Sequence, residues 1–255
     1  MRNVWIICRK ELRSYFVSPV AYLLLAMFTF IFGWFFWNMV NGFVRWSMAS
    51  QMRGQMSPVN INEELIRPLI SNIAVIGLFF IPIITMRLFA EEKRTGTIEL
   101  LATSPIRDLE IIIGKWLAAL LLYAGMLLLT GLNLLWLFKY GTPDWKPLLV
   151  TYLGFLLQVA ALLAIGTFIS TLTRNQIIAG AATFGVCLLL WVLEWSSSYE
   201  STLWSRVLAY ISIIPHFETF ARGVISTKDT IFYVSVIFLG LFLTARSMES
   251  LRWRA

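Results

Sequence analysis

Six stretches of this chain carry no charged residue: Ser14 to Val44, Pro68 to Met86, Trp116 to Phe138, Pro147 to Thr173, Asn175 to Leu193 and Thr230 to Ala245. A helix needs about 20 apolar residues to cross the hydrocarbon core of a bilayer. Five of the runs satisfy that ruler. The sixth has 16 residues, and Asp229 and Arg246 flank it, where charged side chains can snorkel to the interface. Only Arg174 divides the fourth run from the fifth. The polar string Leu172-Thr173-Arg174-Asn175-Gln176 reads as a tight turn, so the two are counted separately. Composition agrees: 58% of the residues are hydrophobic and 14% charged, against about 25% charged in soluble domains.

An even number of crossings puts both termini on one side. Lysines and arginines near the termini and in the second and fourth loops number thirteen, and the opposite loops hold eight. The positive-inside rule therefore predicts cytoplasmic termini. The net charge of +7 is spread between apolar runs rather than gathered in one stripe, so nucleic-acid binding is not expected. Cys8 and Cys187 are too few for a disulfide framework and read as buried thiols. The amino-terminal apolar run is far longer than a signal-peptide core and is expected to remain as an anchor.

Between the crossings, residues 1–14 place Val4, Ile7, Cys8 and Leu12 at helical spacing, with Arg2, Arg9, Lys10 and Arg13 able to meet anionic headgroups. They read as an interfacial helix, or as the basic flank of the first span. Met48, Met52 and Met56 recur every four residues in the first outer loop, a packing surface or a thioether ligand stripe. Residues 195–229 break at Pro215 and predict two short pieces, an outer re-entrant or interfacial helical pair. His216, the single histidine, cannot supply a three-ligand zinc site alone and is assigned to local hydrogen bonding at a helix terminus. Small residues one turn apart, Ala160 with Ala164, Gly166 with Ser170, and Ala181 with Gly185, permit close helix approach. The last pair is the candidate packing or dimer face.

No nucleotide-binding pattern of the form G-x-x-x-x-G-K-[ST] is present: Trp116 follows Gly114-Lys115. The metalloprotease and serine-hydrolase patterns are missing as well, so no catalytic, cofactor or metal residues are assigned to this chain. If the protein is energised, a separate protein must supply the energy.

Against that background the stretch from Arg87 to Lys115 is unusual, with ten charged side chains in a weakly charged chain. Gly96 interrupts the helix leaving the second span, and Thr97 is a candidate N-cap. Glu99 suits the first turn of a new short helix, Leu100 and Leu101 lie on or beside its apolar ridge, and Ser104-Pro105 ends it. Such a helix fits a groove on a cytosolic partner; a solvated hairpin fits the residues equally.

The string EEKRTGTIELLATSPI, followed by IIIGKW at Ile111 to Trp116, resembles the cytoplasmic loop of type-2 ABC transporter permeases, the ABC-2 family. RKELRSYFVSPVAYL at Arg9 to Leu23 and IPHFETFARGVISTKD at Ile214 to Asp229 resemble the gliding-motility-associated permease subfamily. The resemblance implies a prokaryotic inner-membrane permease with both termini cytoplasmic. It implies cytosolic ABC ATPase subunits as partners, and a second permease copy or a related permease. An extracytoplasmic auxiliary subunit is also compatible with it. ATP and Mg would sit on the ATPase, with no cofactor on this chain. By the same likeness Glu91, Glu92, Arg94, Gly96, Thr97, Glu99, Leu100 and Leu101 form the ATPase contact.

The expected fold is an all-α polytopic membrane protein, a single permease domain over 1–255. It has six transmembrane helices at about 18–41, 68–90, 110–138, 147–172, 176–195 and 229–247. An amino-terminal interfacial helix, a cytoplasmic coupling helix and a broken outer segment before the last span complete it. The expected function is export of an unidentified substrate driven by the partner ATPase. The alternative is a non-transporting anchor that passes ATPase motion to an extracytoplasmic partner.

Overall fold

Pro19 fixes the first architectural decision. It has no backbone N–H to continue a helix but suits a first helical turn, so the chain forms α1 (Arg2–Val17), breaks at Ser18, and starts again as α2 (Pro19–Met52). The Ser18 hydroxyl accepts the Val20 N–H at 3.4 Å and caps the new helix. The computed structural model describes residues 2–52, 60–97, 106–141, 143–197, 207–208 and 210–252. Every regular element among them is helical.

Five helices are long and apolar enough to cross a membrane. They are α2, α6 (Asp108–Tyr140), α7 (Trp145–Leu172), α8 (Gln176–Ser197) and α10 (Thr227–Arg252). A bent pair of helices is the candidate for a sixth crossing. A π-helical turn, Asn62–Ile66, runs into α3 (Arg67–Gly77), and α4 (Phe80–Thr85) with α5 (Ala90–Thr95) forms the second half. The two halves meet at 41°. Pro82 causes the bend by removing the N–H that the carbonyl of Leu78 would otherwise accept. Leu78 and Phe79 instead donate to the carbonyls of Val75 and Ile76, each at 3.1 Å, in a tightened turn. Gly77 is required beside that bend, because a Cβ there would lie 2.2 Å from the Tyr123 hydroxyl oxygen.

At its core α7 carries small residues wherever another helix presses on it. A Cβ on Gly240 of α10 would fall 2.8 Å from the Ala164 carbonyl carbon, and one on Gly166 would fall 2.6 Å from Thr85 Oγ1. In lipid, where no hydrophobic force separates helices from solvent, such close backbone approach supplies the packing. Ala160 and Ala164 therefore work within the chain, as do Gly166 and Ser170. Ala181 and Gly185 are exposed, and nothing lies within 4 Å of a Cβ placed on Gly185. A row of edge-to-face and tilted rings, Phe80, Phe28, Tyr123, Phe155 and Phe217, crosses the bundle at centroid spacings of 5.2 to 6.1 Å.

Three expectations change. Asp229 does not snorkel; it is buried, and the helix that carries the last uncharged run spans Thr227–Arg252, so its length no longer rests on 16 residues. Pro215 opens a helix rather than merely breaking one: α9 (Ile214–Ala221) carries it in its first turn. The helix that carries the first uncharged run continues beyond Val44 to Met52, so Met48 and Met52 are exposed on helix rather than loop, and Met56 lies outside the described residues. Residues 98–105, which hold the expected short charged helix with Glu99, Leu100 and Leu101, also lie outside them.

Candidate functional site: a buried ion bridge under the charged loop

The amphipathic helix α1 lies against the start of α6, and Gly114 makes that approach possible. A Cβ at 114 would sit 2.9 Å from two Ile7 side-chain carbons and 3.0 Å from the Val4 carbonyl oxygen. The next residue, Lys115, then points into the seam. Its ammonium is 2.8 Å from Glu11 Oε1 on α1 and 2.8 Å from Glu92 Oε1 on α5, and its side chain is only 2% exposed. The Phe89 ring lies 5.4 Å from the ammonium, a cation–π contact that shields it further.

One cation thus fastens three elements. Coulomb attraction strengthens as water is excluded, but a buried charge is costly unless partnered, so each member depends on the others. The surrounding bonds extend the bridge. Asn3 Nδ2 donates to Glu110 Oε2 at 3.0 Å, tying the tip of α1 to the first turn of α6. The Tyr15 hydroxyl donates to the Ile84 carbonyl at 3.2 Å, tying α1 to the end of α4. Burial pushes the Tyr15 hydroxyl pKa up, with the charge of Glu11 adding to it and Arg87 opposing it. Burial also raises the Cys8 thiol, again with help from Glu11.

The α5 segment is held just as firmly from the other side. Ser170 Oγ of α7 accepts the N–H groups of Phe89 and Ala90, both at 3.1 Å, and so caps α5 from a different helix. The Lys93 ammonium donates to the Thr171 carbonyl, and the Thr171 hydroxyl reaches Ser247 Oγ of α10 at 2.9 Å. Both described ends of the chain therefore lie on the same face of the bundle, termed the terminal face below.

The charged-loop residues divide by position. Glu91 is paired with Arg87 at 3.0 Å, and Glu92 is turned inward onto Lys115. Arg94, Thr95, Gly96 and Thr97 are exposed. Gly96 ends α5 with φ +75°, a left-handed conformation that disfavours a side chain. The Thr97 hydroxyl lies 3.0 Å from that of Thr95. Sequence reasoning missed Glu11 and Lys115 as partners. The available signals were the lone acid in the otherwise basic string RKELR and the Gly-Lys pair at 114–115.

On the far face His216 is locked rather than free. Nδ1 lies 2.6 Å from Asp229 Oδ1, Nε2 lies 2.9 Å from the Tyr210 carbonyl oxygen, and the ring stacks on Phe232 at 3.9 Å. Tyr233 donates to the Ile213 carbonyl and Thr151 to that of Phe220, so α9 is held between α7 and α10. Gly223, at φ +76° and close against Pro147, ends the α9 turn. Among the described residues no group of three or more His, Cys, Asp or Glu is arranged to hold a metal ion.

Long apolar helices, a bent crossing and glycine-mediated contacts define a polytopic helical membrane protein. The family model described as ABC-2 family transporter protein matches residues 5–245, and the chain belongs to that family. It is thus a membrane permease subunit of an ABC transporter, a class that works with ABC ATPase subunits. No curated protein matches it.

Proposed function

We propose that this permease subunit couples ATP hydrolysis by separate cytosolic ATPase subunits to export of a substrate across a prokaryotic inner membrane. The terminal face is the cytoplasmic one, and the exposed strip from Arg94 to Thr97, with Glu99, Leu100 and Leu101 beyond it, is the ATPase contact. Glu91, half-buried and paired with Arg87, borders that contact, and Glu92 acts behind it as its fastening. The observation that carries this reading is the Lys115 bridge, which joins the segment leading into the strip to α1 and α6 through 2.8 Å ion pairs. A displacement imposed at the strip would be passed to three elements together, with the nucleotide state of the ATPase biasing the two arrangements. The strings at Arg9 to Leu23 and Ile214 to Asp229 support affiliation with the gliding-motility-associated permeases, and the exposed Ala181 and Gly185 support a second permease copy against α8.

The decisive experiment is co-purification of the permease with its ATPase in mild detergent, followed by ATP turnover in vesicles. Retention of the ATPase by the wild type, and loss of substrate-linked turnover on combining Gly96→Pro with Glu92→Ala, is expected. An ATPase that never associates, or a double variant with wild-type coupling, would sink the proposal. The anchor reading draws on one observation, the far-face extension of α2 with exposed Met48 and Met52, which offers an extracytoplasmic partner a surface. Intact ATP turnover in vesicles that take up no substrate would favour it.

A further inference from the structure

A cavity of about 480 Å³ opens between α8 and α10, with α7 as its floor. Phe168 and Ile169 of α7, Val186 and Leu190 of α8, and Phe232 and Val236 of α10 line it, and it exposes no polar surface. The close Gly240–Ala164 contact draws α10 onto α7 on one side. The clasp of His216 on Asp229 fixes the far-face end, where Tyr210 and Ile213 also line the cavity. The cleft is therefore built into the fold rather than left by a loose side chain.

Its contents follow from its position and chemistry. The lining helices are the membrane-spanning segments Trp145–Leu172, Gln176–Leu193 and Thr227–Ser250. Water needs two to four polar partners to occupy a cavity, and this one has none to give. Its volume lies within the range of ligand sites. The rim is not uniform: at the far-face end the Lys228 ammonium is 5.1 Å from the Tyr210 ring centroid, and Lys228 is exposed. An apolar slot with a cation at its interfacial end complements an amphiphile with one long chain next to a phosphate.

We propose that this cleft is a phospholipid site, with an acyl chain lying between α8 and α10 and the headgroup phosphate against Lys228. The site does not depend on how the permease is coupled to an ATPase. An exposed lysine near an anionic bilayer surface contributes about 1 kcal/mol, so Lys228 sets headgroup preference while the slot sets the chain.

Phosphatidylglycerol carrying a photoreactive diazirine at its acyl end, in nanodiscs of unlabelled phosphatidylcholine, tests this directly. Adducts are expected to concentrate on peptides containing Ile165 to Ile169, Val186 to Leu190 and Phe232 to Leu243, and unlabelled phosphatidylglycerol should compete them away. Val186→Trp fills the slot and should cut that labelling about tenfold. Leu239→Trp at the exposed rim serves as a second blocking variant should the first fail to fold. Lys228→Gln should weaken competition by phosphatidylglycerol about fivefold, and competition by uncharged diacylglycerol should not change. Adducts spread equally over the exposed Leu128, Leu132 and Leu135 of α6 would overturn the site. So would a disulfide between two copies of Val236→Cys in native membranes, since a second permease would then cover the cleft on the α10 side as well.

Discussion

Lys115 shows how one residue can decide the arrangement of a membrane interface. Its ammonium neutralises carboxylates 104 and 23 residues away in sequence, each at 2.8 Å. Removing one member of a buried ion group typically costs about 3–5 kcal/mol, because the remaining charges stay buried unpaired. Lys115→Met should accordingly lower the thermal midpoint in detergent by several degrees. Combining it with Glu11→Leu and Glu92→Leu should recover most of that loss. A Lys115→Met protein as stable as wild type would show that the bridge contributes little.

Cys8 reports on the same seam. It is fully buried, and its thiol titrates above the usual cysteine value because burial disfavours the thiolate. Thiolate is the reacting form, so maleimide labelling of Cys8 in the native protein should begin at higher pH than labelling of the denatured chain. Native labelling that followed the denatured pH profile would contradict the burial. Sequence made both cysteines recognisable as buried thiols. It did not reveal what covers Cys8, since nothing in local spacing brings Glu11 and α6 together.

At the scale of the element, glycines and prolines carry most of the specification. Gly114→Val would place its branched side chain where Ile7 now lies, and overpacking of this kind costs about 1–3 kcal/mol. The expected result is a detached α1, read as faster Cys8 labelling and easier proteolysis near Arg13. An unchanged labelling rate would mean that the ion bridge and the Asn3 and Tyr15 bonds hold α1 without the close contact at Gly114. Gly96 could be recognised from sequence because its backbone freedom is intrinsic, whereas the break before Pro19 was not read. Pro82 is a kinking residue by its chemistry, but the 41° size of the bend could not be read from the sequence. His216 was legible as a helix-terminus group, whereas its bond to Asp229 was hidden by the apparent fitness of Asp229 as an interfacial flank.

For the molecule as a whole, the bilayer supplies the ruler, which is why an all-helical fold with several crossings is legible from runs of uncharged residues. Orientation is written more faintly, in thirteen basic residues against eight. A reporter fused after Ala255 should behave as cytoplasmic; an extracytoplasmic signal would reverse the proposed faces and remove the terminal strip from any cytosolic ATPase. The candidate site was legible only as a cluster of charge. That Glu92 turns inward onto Lys115 while Arg94 to Thr97 stay exposed depends on a contact between elements apart in the chain, which periodicity cannot express.

The bridge also has a consequence for biosynthesis. Glu11 leaves the ribosome first and Glu92 follows, but the lysine that reconciles them is made only at position 115, as the third crossing begins. Until then the amino-terminal helix lacks its seat on the third crossing, because Gly114 arrives with Lys115, and the Tyr15–Ile84 bond holds it only at one end. Nascent chains arrested before that point should keep Cys8 open to reagents, and longer ones should hide it. Closing the seam is therefore a timed event in the insertion of this protein, set by the order in which its charges are translated.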